Sequence, residues 1–180
     1  VNWVGVNIAT RPHKSGCMAD VHSNGIEVRT ANPDWVSLRV PCDLAKVDAA
    51  LALLEPRGSH LDHKTHDELC TAVREMLMNA IEHGGRNDPA NFVRLDCVVG
   101  PKQILVHITD PGPGFRLTDL KHAAVGNPDN GTQLEHLEVR QAQGIRPGGF
   151  GLMMARQMVD HLIYNDRGNE VLLIKSVARS

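Results

Sequence analysis

The stretch "EMLMNAIEHGG", residues 75–85, decides how the chain is read. With Glu75 set at zero and about 100° per residue, Glu68, Ala72, Asn79 and Glu82 fall within about 60°, and His83 lies at about 80°. Leu69, Val73, Met76, Leu77 and Ala80 fill the arc from about 100° to 200° on the same scale. The run is an amphipathic helix whose polar stripe borders its core face. A solvated surface is the ordinary reading of such a stripe. Asn79 sits awkwardly in it, because Asn is about 0.6 kcal/mol worse than Ala inside a helix and gains nothing from facing water.

Upstream, Thr65 and Glu68 have the spacing of a capping box that opens this helix, and Gly84-Gly85 form its stop. Further back, "WVSLRV" (35–40) alternates like a strand that Pro41 breaks. "DLAKVDAALALLE" (43–55) has apolar residues at helical spacing behind an Asp43 cap. Downstream, "NFVRLDCVV" and "QILVHIT" are two strands of a hairpin joined through "GPK". Residues 116–147 exceed the roughly 12–15 residues of an ordinary loop, which marks a lid, with a short helix expected behind Thr132 and Glu135. "GGFGLMMARQMVDHL" then starts a helix with 152, 155, 159 and 162 on one face, and "LIYND" with "NEVLLIKSV" forms a closing hairpin around Arg167-Gly168.

This order predicts an α+β two-layer sandwich, a mostly antiparallel sheet with helices on one face and a long lid. Residues 1–31 keep neither a twofold nor a 3.6-residue period and are read as a disordered extension, leaving 32–180 as one domain. Met18 before Ala19-Asp20 is a plausible translation start within that extension.

The 180 residues are 42% hydrophobic and 22% charged, a globular composition. A net charge of -2 leaves no electrostatic footprint for nucleic acid or an anionic membrane. Cysteines 17, 42, 70 and 97 have no paired spacing, which argues against a zinc ribbon or a disulfide scaffold and for the cytoplasm. No apolar run reaches the roughly 20 residues of a membrane helix.

Two further clusters bear on chemistry. In "HITDPGPGF", Asp110 ends an apolar strand ahead of Gly112 and Gly114; the carboxylate can accept from an exocyclic amine, or simply cap a Pro-Gly turn. In "RPGGFGL", Gly149 and Gly151 open a helix, where free N–H groups favour phosphate, although glycines also precede helices for packing reasons. The P-loop and GxGxxG fingerprints are missing, so a nucleotide requires another geometry. His60, His63 and His66 invite a metal reading, but their i, i+3, i+6 set precedes the expected Thr65 cap and mostly lies outside the helix.

In order, E-x-x-x-N-A-x-x-H (Glu75, Asn79, Ala80, His83), D-x-G-x-G-F (Asp110, Gly112, Gly114, Phe115) and G-x-G-L with a following V-D (Gly149, Gly151, Leu152, Val159, Asp160) resemble the N, G1 and G2 boxes of the GHKL ATPase superfamily. The resemblance spans roughly Trp35 to Val177 and is strongest to the anti-sigma-factor serine/threonine kinase group. It implies a Bergerat-type ATP-binding fold with 116–147 as ATP lid. Sensor histidine kinases are less similar, since they usually carry Asn or His at 75 and Lys or Arg at 82.

The resemblance further implies that Asn79 coordinates Mg²⁺, Glu75 polarises the attacking hydroxyl, and Asp110 binds the adenine amine. Gly112 and Gly114 let the chain pass close to the base, and Gly149 and Gly151 present N–H groups to the phosphates. His83 is a pattern residue read as a packed or capping imidazole. The implied partners are an anti-anti-sigma-type substrate and a sigma factor, and a homodimer is compatible with the pattern. A nucleotide-gated binding module without phosphotransfer, or a detached ATPase module of a two-component or phosphatase system, would share the pocket. The lid is long for a compact anti-sigma kinase.

Overall fold

A computed structural model describes residues 21–23, 25–55, 61–115 and 150–177. Alternating apolar residues build a sheet of seven strands: β1 (Val21–Ser23), β2 (Ile26–Asn32), β3 (Trp35–Pro41), β4 (Phe92–Val99), β5 (Gln103–Thr109), β6 (His161–Tyr164) and β7 (Glu170–Ser176). Their order across the sheet is β1-β2-β3-β4-β5-β7-β6, and every neighbouring pair is antiparallel. Register aligns the inward side chains into rows: Leu38, Leu95, Ile108, Val171 and Tyr164 form one, and Val36, Cys97, Val106, Leu173 and Leu162 the next.

Helices α1 (Val47–Ala52), α2 (His63–Asn79) and α3 (Phe150–Met158) cover these rows. Burial of Leu69, Val73, Met76, Leu77 and Ala80 follows the arc expected from 3.6-residue spacing. The result is the two-layer α+β architecture expected from the residue pattern. Leu173 is fully buried at the centre of this layer. Leu173→Ala should therefore lower stability by about 2–5 kcal/mol in urea denaturation, through lost burial plus the cavity left behind.

The structure corrects the reading of residues 21–31 as a disordered extension. They form β1 and most of β2, with Ile26 fully buried and Arg39 donating to both Glu27 carboxylate oxygens at 3.0 and 2.9 Å. The pairing of β2 with β3 shifts register between Val28 and Thr30. Such an irregularity moves side chains to the other face, which is why no clean alternation was visible. Residues 1–20 lie outside the described residues, as does the lid at 116–147 with its expected helix.

The start of α2 is also corrected. Its cap is Asp62, which accepts from the Thr65 amide at 3.0 Å and the Thr65 hydroxyl at 2.7 Å, so Thr65 completes the cap and does not begin it. Those two bonds hold the Asp62 carboxyl below its ordinary pKa. His63 and His66 consequently lie inside the helix, and among the described residues no group of His, Cys, Asp and Glu side chains is arranged to hold a metal ion. At the other end the α-helix stops at Asn79 and widens into a π turn, Ala80–Gly84. The chain then reverses through Arg86 and Asn87, at φ 56° and 52°, so the left-handed residues follow the glycines and are not the glycines themselves.

No described helix is long and apolar enough to cross a membrane. None of the described cysteines, Cys42, Cys70 and Cys97, is in a disulfide.

Candidate nucleotide pocket

The polar stripe of α2 turns out not to be a solvated face. Ala72 on it is fully buried, α3 packs along α2, and Glu68 accepts at 2.6 Å from Lys175, which also donates to the Met158 carbonyl at 2.8 Å. That ion pair joins α2, the end of α3 and β7. One turn further on, half-buried Glu75 faces Gly151 so closely that a Cβ at 151 would collide with its carboxylate. A larger residue at the start of α3 would force the Glu75 carboxylate to swing away from its present place.

Beyond this contact the end of α2, the strand ends of β5 and β7, and the start of α3 enclose a cavity of about 650 Å³. That volume suits a small-molecule ligand. Its walls include Met76, Asn79, Glu82, His83, Asp110, Gly114, Phe115, Leu152 and Tyr164. Apolar side chains thus surround a few polar groups. Among the described residues no protein group hydrogen bonds the Asn79 side chain, which lines the cavity.

Asp110 occupies the end of β5, where its Oδ1 accepts from the Gly112 amide at 2.7 Å. Burial raises its pKa above the ordinary carboxylate value, while the Gly112 bond and the Arg167 guanidinium oppose that rise. The carboxylate fits only because its neighbour is Gly84: a Cβ there would overlap it. The π turn brings Gly84 to this point, and π turns concentrate at functional sites. The negative charge reaches nearby groups. Burial, then Asp110 and Asp88, push the Cys42 thiol up to about 11, and burial, then Asp110, push the Tyr164 phenol up to about 12. Tyr164 donates to the Met76 sulfur at 3.3 Å and meets the Phe115 ring edge-on at 5.2 Å.

The structure therefore brings Asn79, Asp110 and Gly114 to one cavity and sets Gly112 against Asp110. Glu75 stands beside that cavity, on the Gly151 side. Gly149 lies outside the described residues. His83 is exposed on the cavity wall, which corrects its reading as a packed imidazole, although its place in the last turn still suits the helix dipole.

Sequence reasoning placed the β6–β7 turn but missed its part in shaping the site. Asn165 Oδ1 accepts from the amides of Gly168, Asn169 and Glu170 at 2.7, 3.1 and 3.2 Å and shapes that turn. Gly114 and Gly168, at φ 82° and 78°, then let two backbones touch: a Cβ on the first would strike the Arg167 carbonyl, and on the second the Phe115 carbonyl. The Asp110 amide donates to the Asn169 carbonyl at 3.0 Å. "YNDRGNE" announces a turn, but nothing local in it says that the turn moulds a loop over 50 residues earlier.

Comparison with known proteins agrees with this geometry. The family model described as "Histidine kinase-like ATPase domain" matches residues 40–175. Serine-protein kinase RsbW of Oceanobacillus iheyensis is 24% identical over 151 residues, covering 82% of this chain and 90% of the relative. Anti-sigma F factor of Geobacillus kaustophilus is 27% identical over 137 residues, covering 74% and 82%. The matched span runs from the end of β3 into β7 and contains both walls of the cavity, so the fold, the pocket and the order of the boxes converge: the chain belongs to the histidine kinase-like ATPase domain family, with similarity to anti-sigma-factor kinases.

Proposed function

We propose that this protein binds Mg-ATP in the cavity at the end of α2 and transfers the γ-phosphoryl group to a serine or threonine of an anti-anti-sigma-type protein. The observation that carries the reading is the placement of Asp110 across one cavity from Asn79, with Glu75 one turn back on the same helical face. The names of the two relatives support the kinase class and the kind of partner.

In this reading the free Asp110 oxygen accepts from the adenine amine, and the close approach of Gly112 and Gly114 leaves room for the base. The Asn79 side-chain oxygen would hold Mg²⁺, a fit supported by its place on the cavity wall with no hydrogen bond to its side chain from the described residues; Mg²⁺ usually takes one or two protein ligands and completes its shell with phosphates and water. The ion supplies charge neutralisation to the phosphates. The backbone N–H of Gly151, in the first turn of α3, is assigned to the phosphates, and the sequence pattern assigns the Gly149 N–H the same role. Glu75 takes the proton of the attacking hydroxyl as its oxygen bonds to the γ-phosphorus, and the bond to the bridging oxygen breaks with ADP as leaving group. A sigma factor is the second partner, released or held according to the phosphorylation state of the first.

The test combines calorimetric titration with ATP and an assay of phosphate on an anti-anti-sigma protein from the same cell. Wild type should bind ATP more tightly with Mg²⁺ than without. Asn79→Ala should lose that metal dependence and bind equally weakly in both conditions. Absence of ATP binding by the wild type would remove the reading entirely, and binding without transfer would leave a nucleotide-gated binding module.

A further inference from the structure

One cation in the β6–β7 turn makes contacts that phosphate transfer does not require. Arg167 is exposed, yet its Nε donates to the Pro113 carbonyl at 3.2 Å and its Nη2 to the Gly112 carbonyl at 3.4 Å. A planar guanidinium fork can span two successive carbonyls in a way an ammonium cannot. The loop it grips carries the amide that fixes Asp110 Oδ1. Asn169 holds the other side of Asp110, giving its Nδ2 to the Asp110 carbonyl at 3.4 Å. Among the described residues, the side-chain hydrogen bonds that tie the Gly112–Pro113 carbonyls and the Asp110 carbonyl to another element all come from the β6–β7 turn.

We propose that Arg167 is a positioning residue for base recognition. By pinning the Gly112 and Pro113 carbonyls it fixes the loop that aims the free Asp110 oxygen at an amino group on the nucleotide base. Preference for a 6-aminopurine over a 6-oxopurine therefore depends on a residue that touches neither base nor phosphate. The proposal rests on the nucleotide reading above. The charge of Arg167 acts in the same direction, since it favours the ionised, accepting form of the partly buried Asp110.

The experiment measures affinities of the full chain for ATP and for inosine triphosphate, in which oxygen replaces the 6-amino group, in wild type, Arg167→Gln and Arg167→Lys. Thermal unfolding of each variant confirms that an exposed substitution leaves the fold intact. Wild type should favour ATP. Arg167→Gln should narrow the ATP to inosine triphosphate ratio by about fivefold, the effect of about one net hydrogen bond. Arg167→Lys, which keeps the charge but loses the fork, should give an intermediate ratio. Equal weakening of both ligands in Arg167→Gln, with the ratio unchanged, would assign a merely structural role and overturn the proposal. A wild type that binds both ligands equally, or neither, would instead overturn the underlying nucleotide reading.

Discussion

Glu75→Gln is expected to lower phosphoryl transfer by about 10²–10⁴-fold, the range contributed by a positioned general base. Glutamine keeps the size and shape of the side chain that packs against Gly151, so α3 keeps its seat on α2. What disappears is the ability to take a proton from the attacking hydroxyl. ATP affinity, which the proposal assigns to Asp110 and Asn79, should change by less than about twofold because Glu75 does not line the cavity proposed to hold the base. Single-turnover transfer and calorimetry on the same preparation separate the two quantities. Normal transfer by this variant would show that the base is elsewhere. Parallel loss of binding would mean that the carboxylate, not just its shape, holds α3.

The second large effect is expected at Asp110, where function and stability should move in opposite directions. Asp110→Asn keeps an oxygen for the Gly112 amide but replaces a charged acceptor with a neutral one. Hydrogen bonds to charged groups contribute about 1.5–3 kcal/mol, so ATP affinity should fall by about 10- to 150-fold. The ligand-free protein should not lose stability at pH 7. Burial raises the folded-state pKa of Asp110 above the ordinary carboxylate value. With the folded pKa above the unfolded one, the contribution of this group to stability is fully present below the unfolded pKa and is lost as pH rises through the folded pKa. At neutral pH the wild type therefore carries the cost of a partly buried charge that the variant lacks. Chemical denaturation should find Asp110→Asn at least as stable as wild type at pH 7, with that advantage shrinking as pH falls toward the ordinary carboxylate range. A variant markedly less stable at pH 7 would show that the charge is structurally favourable through Arg167.

Elements with their own strong periodicity were legible without tertiary information. The apolar arc of α2, the β4–β5 hairpin around "GPK" and the final hairpin around Gly168 all rest on local spacing, and the structure keeps them. Failures occurred where a distant neighbour overrides a local signal. β2 escapes a period-two reading because its register shifts between Val28 and Thr30, and only pairing with β3 reveals its buried residue Ile26. Thr65 looked like a cap by its spacing to Glu68, whereas Asp62 supplies the stronger acceptor and Glu68 is drawn away to Lys175 on β7.

The residue types at 75, 79 and 110 and their order along the chain were determined by the sequence alone, because side-chain chemistry and helical spacing are local properties. Which of them share a space was decided by the tertiary structure. Packing of α3 along α2 converts a stripe that looked solvated into the wall of a site, with Gly151 against Glu75. The π turn slides Gly84 under Asp110, and the β6–β7 turn clamps the Gly112–Gly114 loop through Arg167 and Asn169. Those contacts join residues more than 25 positions apart, and only long-range packing, not local propensity, can specify them.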